Sequence, residues 1–139
     1  MGITLFVLPG PKELREKAVK SFGEYVEHVV YLYHDDFCIA NNKSRLFTNW
    51  FCFIYSYEWI DGELREALPV LMENKDFDFF VFYKKVVVNG EVVFSKAPRL
   101  FRFNVEMLPG ILMPASVNDL KHDTILDGWI RQDPHYDKS

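Results

Sequence analysis

The stretch ITLFVLPGPKELREKAVKSFGEYVEHVVYLYHDD, residues 3–36, decides the fold class. Residues 3–8 form a continuous apolar run with β-branched and aromatic side chains, which predicts a buried strand. Pro11 is well placed to open a helix, because its missing N–H is harmless at the first helical position. One face of that helix is apolar, formed by Leu14, Ala18, Phe22 and Val26. Residues 28–34 predict a second strand, so the stretch predicts a βαβ unit with parallel strands and a right-handed crossover.

The middle of the chain predicts a third strand followed by a second helix. Residues 50–57 have the apolar composition of a buried strand. Asp61 is placed to cap a helix over residues 62–73, in which Pro69 is expected to cause a kink or an early end. Residues 43–49 indicate a short helix before the third strand.

The second half of the chain is expected to add antiparallel strands. The dipeptide Asn89-Gly90 separates two strand-like runs, residues 77–88 and 91–96, and this pattern is typical of a type I′ hairpin. A further strand is predicted to follow the hairpin, at residues 98–105.

The end of the chain carries a weaker signal. Residues 108–116 are rich in turn formers and predict a loop, and residues 123–133 predict a short terminal helix. The 139 residues suit one domain, residues 1–139, with one core. We therefore expect a three-layer α/β domain whose sheet is mixed, mostly parallel, with an antiparallel hairpin.

Composition and charge narrow the classes of function. The net charge is −4 with acids and bases interspersed, which argues against a nucleic-acid partner. No run approaches the roughly 20 apolar residues of a membrane-spanning helix. Cys38 and Cys52 lie in apolar surroundings and are expected to be reduced thiols, which favours a cytoplasmic location. Aromatic residues make up 17% of the chain, enough to supply a subunit contact in a homodimer.

A family resemblance is carried by WFCFIYSYEWIDGELREAL, residues 50–68, together with the later RLFR, residues 99–102, and LKHDTILDGWI, residues 120–130. The order of these pieces resembles the family 2 glycosyltransferases of the GT-A fold, in particular the branch that decorates lipopolysaccharide cores. In that branch a strand ends in Asp-x-Asp-Glu and is followed by a helix. This chain keeps Trp50, the apolar strand, Glu58 and the helix in the same register. The resemblance implies a GT-A-like fold, a nucleotide-sugar donor and an unknown acceptor.

The resemblance also implies a Mn²⁺ or Mg²⁺ cofactor, bound by the aspartate pair and bridging the donor diphosphate. Tyr55 and Tyr57 occupy the two aspartate positions here, and a neutral phenol is a poor ligand for such hard cations. Glu58 and His122 are then the expected metal ligands. His122 has a plainer alternative as a structural residue.

Donor-binding residues are expected where the strands end, because open α/β sheets place ligands at the carboxyl ends of their strands. The candidate nucleotide-sugar-binding residues are Pro9, Tyr33, Asp35, Asp36, Tyr55, Tyr57, Arg99 and Arg102. The two arginines lie an odd number of residues apart and so face opposite sides of a regular strand, which leaves one of them for the diphosphate. Asp35 and Asp36 have the plain alternative of a strand-ending turn.

Catalysis would need a general base for the acceptor hydroxyl. Glu58 and Asp119 are the catalytic candidates. Asp119 and Glu106 are the acids near the expected position of the base, each with the plain alternative of a solvated surface acid, so the base is unassigned. Two functions remain open: a small glycosyltransferase, or a GT-A-like binding or interaction module without catalysis. Convergence of Glu58, Asp36 and His122 on one cleft would favour the enzyme, and their divergence would argue against it.

Overall fold

The computed structural model describes residues 2–133. Within that range the chain forms one seven-stranded sheet and two α-helices, joined by loops and short 3₁₀ turns. The strands are β1 Ile3–Val7, β2 Val26–Tyr31, β3 Trp50–Ile54, β4 Glu58–Ile60, β5 Phe79–Val88, β6 Glu91–Arg102 and β7 His122–Gln132. The helices are α1 Lys12–Ser21 and α2 Gly62–Glu73.

The first half of the fold is the predicted βαβ unit. Strands β1 and β2 pair in parallel, with α1 between them in the chain, and β3 pairs in parallel with the other side of β1. All five residues of β1 are buried, as its continuous apolar run predicts for a strand covered on both faces. Helix α2 begins at the Asp61 cap, whose carboxylate accepts the Leu64 N–H at 3.0 Å, and continues past Pro69 to Glu73.

The predicted hairpin is also present. Strands β5 and β6 pair over their whole length around Asn89 and Gly90, whose φ values of 51° and 80° are those of a type I′ turn. The strand predicted at residues 98–105 is the end of β6, which runs without a break through Pro98 to Arg102.

The terminal helix predicted over residues 123–133 is wrong, because this segment is strand β7. It lies between β5, with which it pairs in parallel, and β4, with which it pairs antiparallel, so two neighbours satisfy its backbone. Thr124 and Ile125 have branched side chains that suit a strand, and Gly128 has a φ of 98°, which no helix accepts. The short helix predicted over residues 43–49 is reduced to a 3₁₀ turn at Lys43–Arg45.

The sheet order β2-β1-β3-β6-β5-β7-β4 makes the second half curl. Strand β4 follows β3 after a three-residue turn, closed by the Glu58 N–H on the Tyr55 carbonyl at 3.0 Å, yet β4 lies at the far edge of the sheet. The sheet therefore bends until its edge returns to β3. Three of the six strand pairings of residues 2–133 are parallel and three antiparallel, so the sheet is mixed but not mostly parallel.

Each face of the sheet has its own core. On one face, the helices supply Ala18, Leu64 and Leu68, and Phe22 follows at the end of α1. The other face is covered by the 3₁₀ turn Phe37–Asn41 and by loop residues such as Val105 and Met107. Neither α-helix in residues 2–133 has the length and apolar character needed to cross a membrane.

Candidate functional site

Glu58, the acid of the Asp-x-Asp-Glu position, lies at the centre of a buried ion cluster. Its side chain is fully buried, and Oε1 accepts the Tyr55 N–H at 2.9 Å and Arg99 Nη1 at 2.7 Å. Oε2 accepts Arg99 Nη2 at 3.0 Å and lies 2.5 Å from Lys84 Nζ. We call Glu58, Arg99 and Lys84 the ion triad. The carboxylate has four donors on its two oxygens, so its hydrogen-bonding capacity is used within the protein.

The curl of the sheet brings the three charges of the triad together. Glu58 begins β4, Lys84 comes from β5, and Arg99 comes from β6. Arg99 is an extra residue in the β5–β6 ladder, because Phe80 pairs with Leu100 and Val81 with Pro98. This β-bulge breaks the regular alternation of side chains. The expectation that Arg99 and Arg102 face opposite sides of a regular strand therefore does not apply here.

The electrostatic environment keeps Glu58 and Arg99 charged. Burial by itself raises the pKa of Glu58, but the charges and hydrogen bonds of Arg99 and Lys84 outweigh it and hold the pKa below the usual range. Burial lowers the pKa of Arg99, while the Glu58 carboxylate raises it more, so the pKa lies above its ordinary value. Two cations and one anion leave the triad with a net charge of about +1.

Tyr55 and Tyr57, at the positions of the expected metal-binding aspartates, form a stacked pair above the triad. Their ring centroids are 5.5 Å apart, and Lys84 Nζ lies 5.8 Å from the Tyr55 centroid and 5.4 Å from that of Tyr57. Burial raises the pKa of both phenols, that of Tyr57 to about 12. Both are neutral at pH 7, and a neutral phenol does not suit Mg²⁺ or Mn²⁺.

The other donor-site candidates, except Arg102, follow the carboxyl ends of β1, β2 and β3. The Ser56 hydroxyl donates to the Pro9 carbonyl at 3.0 Å across the β1–β3 boundary. Burial is the main cause of the raised pKa of Tyr55 and Tyr57, and the charge of Asp35 is the smallest of the causes.

A surface cavity of about 240 Å³ opens beside these strand ends. It is lined by Tyr31, Leu32, Tyr33, His34, Asp36, Ile39 and Arg45. Tyr33 is 87% exposed, and Asp36 accepts the Cys38 N–H at 3.0 Å as the cap of a 3₁₀ turn, which agrees with its alternative as a strand-ending turn. The edge thus combines a cavity with aromatic rings and charges.

Three candidates, Arg102, Asp119 and His122, lie at the opposite end of the strands. Arg102 pairs with Trp50, the first residue of β3, and its guanidinium donates to the carbonyls of Asn74 and Phe77 at 2.8 Å. Asp119 is exposed in a 3₁₀ turn just before β7.

His122 is also distant from Glu58. It begins β7 and stacks on Phe79, whereas Glu58 pairs with Gln132 at the other end of that strand, roughly 30 Å of strand away. The structure therefore does not bring Glu58, Asp119 and His122 together, and the expected convergence of Glu58, Asp36 and His122 on one cleft is absent from residues 2–133.

A divalent metal does not fit the residues at this site. Tyr55 and Tyr57 are neutral, and Glu58 would have to release Arg99 or Lys84 to bind a cation. Within residues 2–133 no group of three or more His, Cys, Asp or Glu side chains could hold a metal ion. A Mn²⁺ or Mg²⁺ cofactor stays a prediction of the family resemblance.

Sequence reasoning missed Lys84 as a member of the site. A signal was present, because Phe80, Phe82 and Lys84 alternate on one face of β5 and the first two are buried. A lysine that continues the inward register of an apolar strand needs a buried partner, and Glu58 is that partner.

No protein-family model matches the chain, and no curated protein matches it significantly. The resemblance to family 2 glycosyltransferases therefore depends on the residues and their order alone.

Proposed function

We propose that this chain is a GT-A-like domain that binds a nucleotide, most suitably as a nucleotide-sugar, without a divalent metal. The observation that carries the proposal is the position of Lys84. Its ammonium is held by Glu58 next to Tyr55 and Tyr57, the positions where the resembling enzymes have metal-binding aspartates. A fixed cation stands where a metal would supply positive charge.

The charge balance of the ion triad supports an anionic ligand. Glu58 neutralises one of its two cations, and Arg99 is committed to it by two hydrogen bonds. Lys84 is 14% exposed and carries three N–H donors, so it can contact Glu58 and a phosphate oxygen together. Charge-assisted hydrogen bonds of this kind are stronger than neutral ones, and the fold orients Lys84 before ligand arrives.

The cavity of about 240 Å³ beside β2 is the proposed place for the base and ribose. The exposed ring of Tyr33 offers a stacking surface, and the carboxylate of Asp36 offers an acceptor for a ribose hydroxyl. Where the chain leaves β1 and β3, Ser56 packs closely against Gly10, and a Cβ added to Gly10 would lie 1.9 Å from Ser56 Oγ. The diphosphate is proposed to lie over Tyr55 and Tyr57, next to the ammonium of Lys84.

Glycosyl transfer, which the resemblance implies, is the second candidate function. It is favoured by the same Lys84, because a cation beside the diphosphate would stabilise the departing nucleoside diphosphate. Asp119, the expected base, lies at the opposite end of the strands from Lys84 and the two tyrosines. We therefore prefer nucleotide binding to glycosyl transfer. The family assignment, the GT-A three-layer architecture, the donor and the acceptor are all parts of this proposal.

Thermal unfolding with a panel of nucleoside diphosphates and nucleotide-sugars, in EDTA and in Mn²⁺, tests the proposal. A ligand at 100 times its dissociation constant adds about 2.7 kcal/mol to the free energy of unfolding. We expect one nucleotide to stabilise the protein in EDTA, and Lys84→Met to abolish the effect. Lys84→Arg keeps the charge and should retain part of it.

Lys85→Met is the matched control, because Lys85 is the next residue of β5 and faces the other side of the strand. It should leave nucleotide stabilisation unchanged. The proposal would be contradicted if nucleotides stabilised the protein only in Mn²⁺, or if no nucleotide of the panel stabilised it. Release of nucleoside diphosphate from a nucleotide-sugar in the presence of candidate acceptors would move the assignment to the transferase.

A further inference from the structure

The hairpin of β5 and β6 carries a mixed apolar and basic surface on one side. Successive side chains of a strand alternate between two faces, and Phe79 and Val81 begin β5 on the face that the loops cover. Further along the hairpin, the same face is formed by three directly opposed pairs, Tyr83–Lys96, Lys85–Phe94 and Val87–Val92. We call these six residues, together with Trp129 and Arg131 of β7, the outer face.

Strand β7 extends the outer face on the other side of β5. Arg131 pairs with Lys85, so the two side chains point to the same side of the sheet. Ring contacts place Trp129 there as well, because its ring centroid lies 4.7 Å from that of Phe94 and 5.9 Å from that of Tyr83. The outer face thus consists of an aromatic cluster among basic side chains. It is assembled from three strands, so no run of basic residues marks it in the sequence.

The outer face also leaves apolar side chains in contact with solvent. Val87, Val92 and Phe94 are between 44% and 51% exposed, although Phe94 already packs on Trp129. Exposed apolar side chains that are grouped and bordered by polar ones are typical of interaction surfaces. The opposed valines have no aromatic ring over them that the structure records within residues 2–133.

The charge of the outer face is opposite in sign to that of the whole chain. The chain has 20 acidic and 16 basic residues. The eight residues of the outer face include Lys85, Lys96 and Arg131 and no acid. Glu91 is the only acid in the sequence of β5 and β6, and it pairs with Val88, so it points to the other side of the hairpin. This segregation of charge favours an anionic partner.

Two of the three cations are available to such a partner. Arg131 lies 3.6 Å from the carboxylate of Asp61, which also accepts two backbone N–H groups. Lys85 and Lys96 have no ion pair with an acid in residues 2–133. Their ammonium groups are free to contact phosphate oxygens, and their aliphatic stems can lie against apolar surface.

We propose that the outer face docks on the surface of a lipid bilayer that carries anionic headgroups. The opposed valines and the aromatic cluster enter the boundary between headgroups and acyl chains, where tryptophan and tyrosine are preferred. Lys85 and Lys96 bind headgroup phosphates at the same depth. A nucleic acid or an acidic protein segment would match the two lysines but would leave the valines in water. Lys84 points to the other side of β5, so the outer face is separate from the proposed nucleotide site.

Flotation of the full chain with lipid vesicles tests the docking. In low salt, the protein should bind vesicles of phosphatidylcholine with about 30% phosphatidylserine, and bind vesicles of phosphatidylcholine alone much more weakly. Lys85→Gln with Lys96→Gln should lower the partition coefficient by about 10- to 30-fold, because each lysine near an anionic surface contributes about fivefold. The control is Lys20→Gln with Lys75→Gln, which removes the same charge at exposed positions outside β5, β6 and β7. It should lower the coefficient by less than about threefold.

Val92 and Val93 give a matched pair of variants for the choice of face. They are neighbours on β6, 50% and 44% exposed, and they point to opposite sides of the strand. Val92→Glu places a carboxylate in the outer face and should lower the partition coefficient by about tenfold or more. Val93→Glu adds the same charge on the other side and should lower it by less than about threefold. Circular dichroism of every variant verifies that the fold is kept.

Four results would overturn the proposal. The first is a protein that does not bind anionic vesicles in low salt, and the second is equal binding to neutral and anionic vesicles. The third is equal weakening by Val92→Glu and Val93→Glu, because the outer face would then not be the contact. The fourth is binding to polyglutamate or to a single-stranded oligonucleotide without binding to vesicles, because the partner would then be a polyanion other than a lipid surface.

Discussion

Replacing Glu58 by glutamine should destabilise the protein far more than a surface charge replacement does. Glutamine has nearly the shape of glutamate but no charge, so Arg99 and Lys84 lose their shared anion. It also turns an amide NH₂, which is a donor, towards donors. Arg99 is 4% exposed and cannot lose its proton, so its charge stays buried without compensation.

The magnitude follows from the burial of the ion triad. Removing one partner of a buried ion pair typically destabilises a protein by about 3–5 kcal/mol. Lys84 is 14% exposed and can regain water, which favours the lower half of that range. Total stabilities are about 5–15 kcal/mol, so the loss is a large share, and it should lower the Tm by roughly 10–20 °C.

Urea unfolding followed by tryptophan fluorescence measures the loss. The control is Glu66→Gln, which removes an exposed carboxylate 4.0 Å from Arg65 and should change the free energy of unfolding by less than about 0.5 kcal/mol. Arg99→Met combined with Glu58→Gln should cost less than the sum of the single changes. If Glu58→Gln is no worse than Glu66→Gln, the ion triad does not organise the curled sheet. That outcome would return Glu58 to the role of a solvated site acid.

Three further predictions follow from the same structure. The pKa of Glu58 is lower in the folded protein than its usual 4.5, so the unfolded state binds more protons in acid. The stabilisation by Glu58 is therefore fully present above about pH 4.5 and is lost as the pH falls through the folded pKa. The urea midpoints of the wild type and of Glu58→Gln should converge in acid. Gly128→Ala should lower the free energy of unfolding by about 2–4 kcal/mol, because Gly128 has a φ of 98° and a Cβ would lie 2.4 Å from Asp61 Oδ1. Gly110→Ala is the control, because Gly110 has a φ of 73° and open space around it. It should cost only about 1–2 kcal/mol in the same urea assay. Burial raises the pKa of Cys52 to about 12, whereas Cys38 is only partly buried. A thiol reagent should therefore modify Cys38 in the native protein and Cys52 only after unfolding. Mass spectrometry of labelled peptides measures the order, and labelling of Cys52 in the native protein would contradict its burial.

Local signals predicted several elements of the fold well. The βαβ unit, the Asp61 cap and the Asn89-Gly90 turn each depend on residues close together in the sequence. Segment 123–133 was predicted wrongly because its conformation depends on β5 and β4, which are remote in the sequence. Short apolar segments of this kind have no decisive periodicity, and the neighbours that satisfy the backbone determine the outcome.

The location of the candidate residues was easier to predict than their contacts. Pro9, Asp35 and Tyr55 follow the carboxyl ends of β1, β2 and β3, as counting strand ends predicted. It did not indicate that Glu58 turns inward, because that depends on the curl of the sheet. The bulge at Arg99 is equally invisible in a pattern that assumes strict alternation.

A buried ion triad needs a reason beyond stability. Well-packed apolar residues of similar volume are often as stable as a buried ion pair, so stability alone does not require Glu58, Arg99 and Lys84. Glu58 does two things that an apolar residue cannot: it closes the Tyr55–Glu58 turn through the Tyr55 N–H, and it holds the ammonium of Lys84 below the stacked tyrosines. Both effects fix the shape and the positive charge at one end of the strands, and this is the arrangement on which the proposed binding of an anion rests.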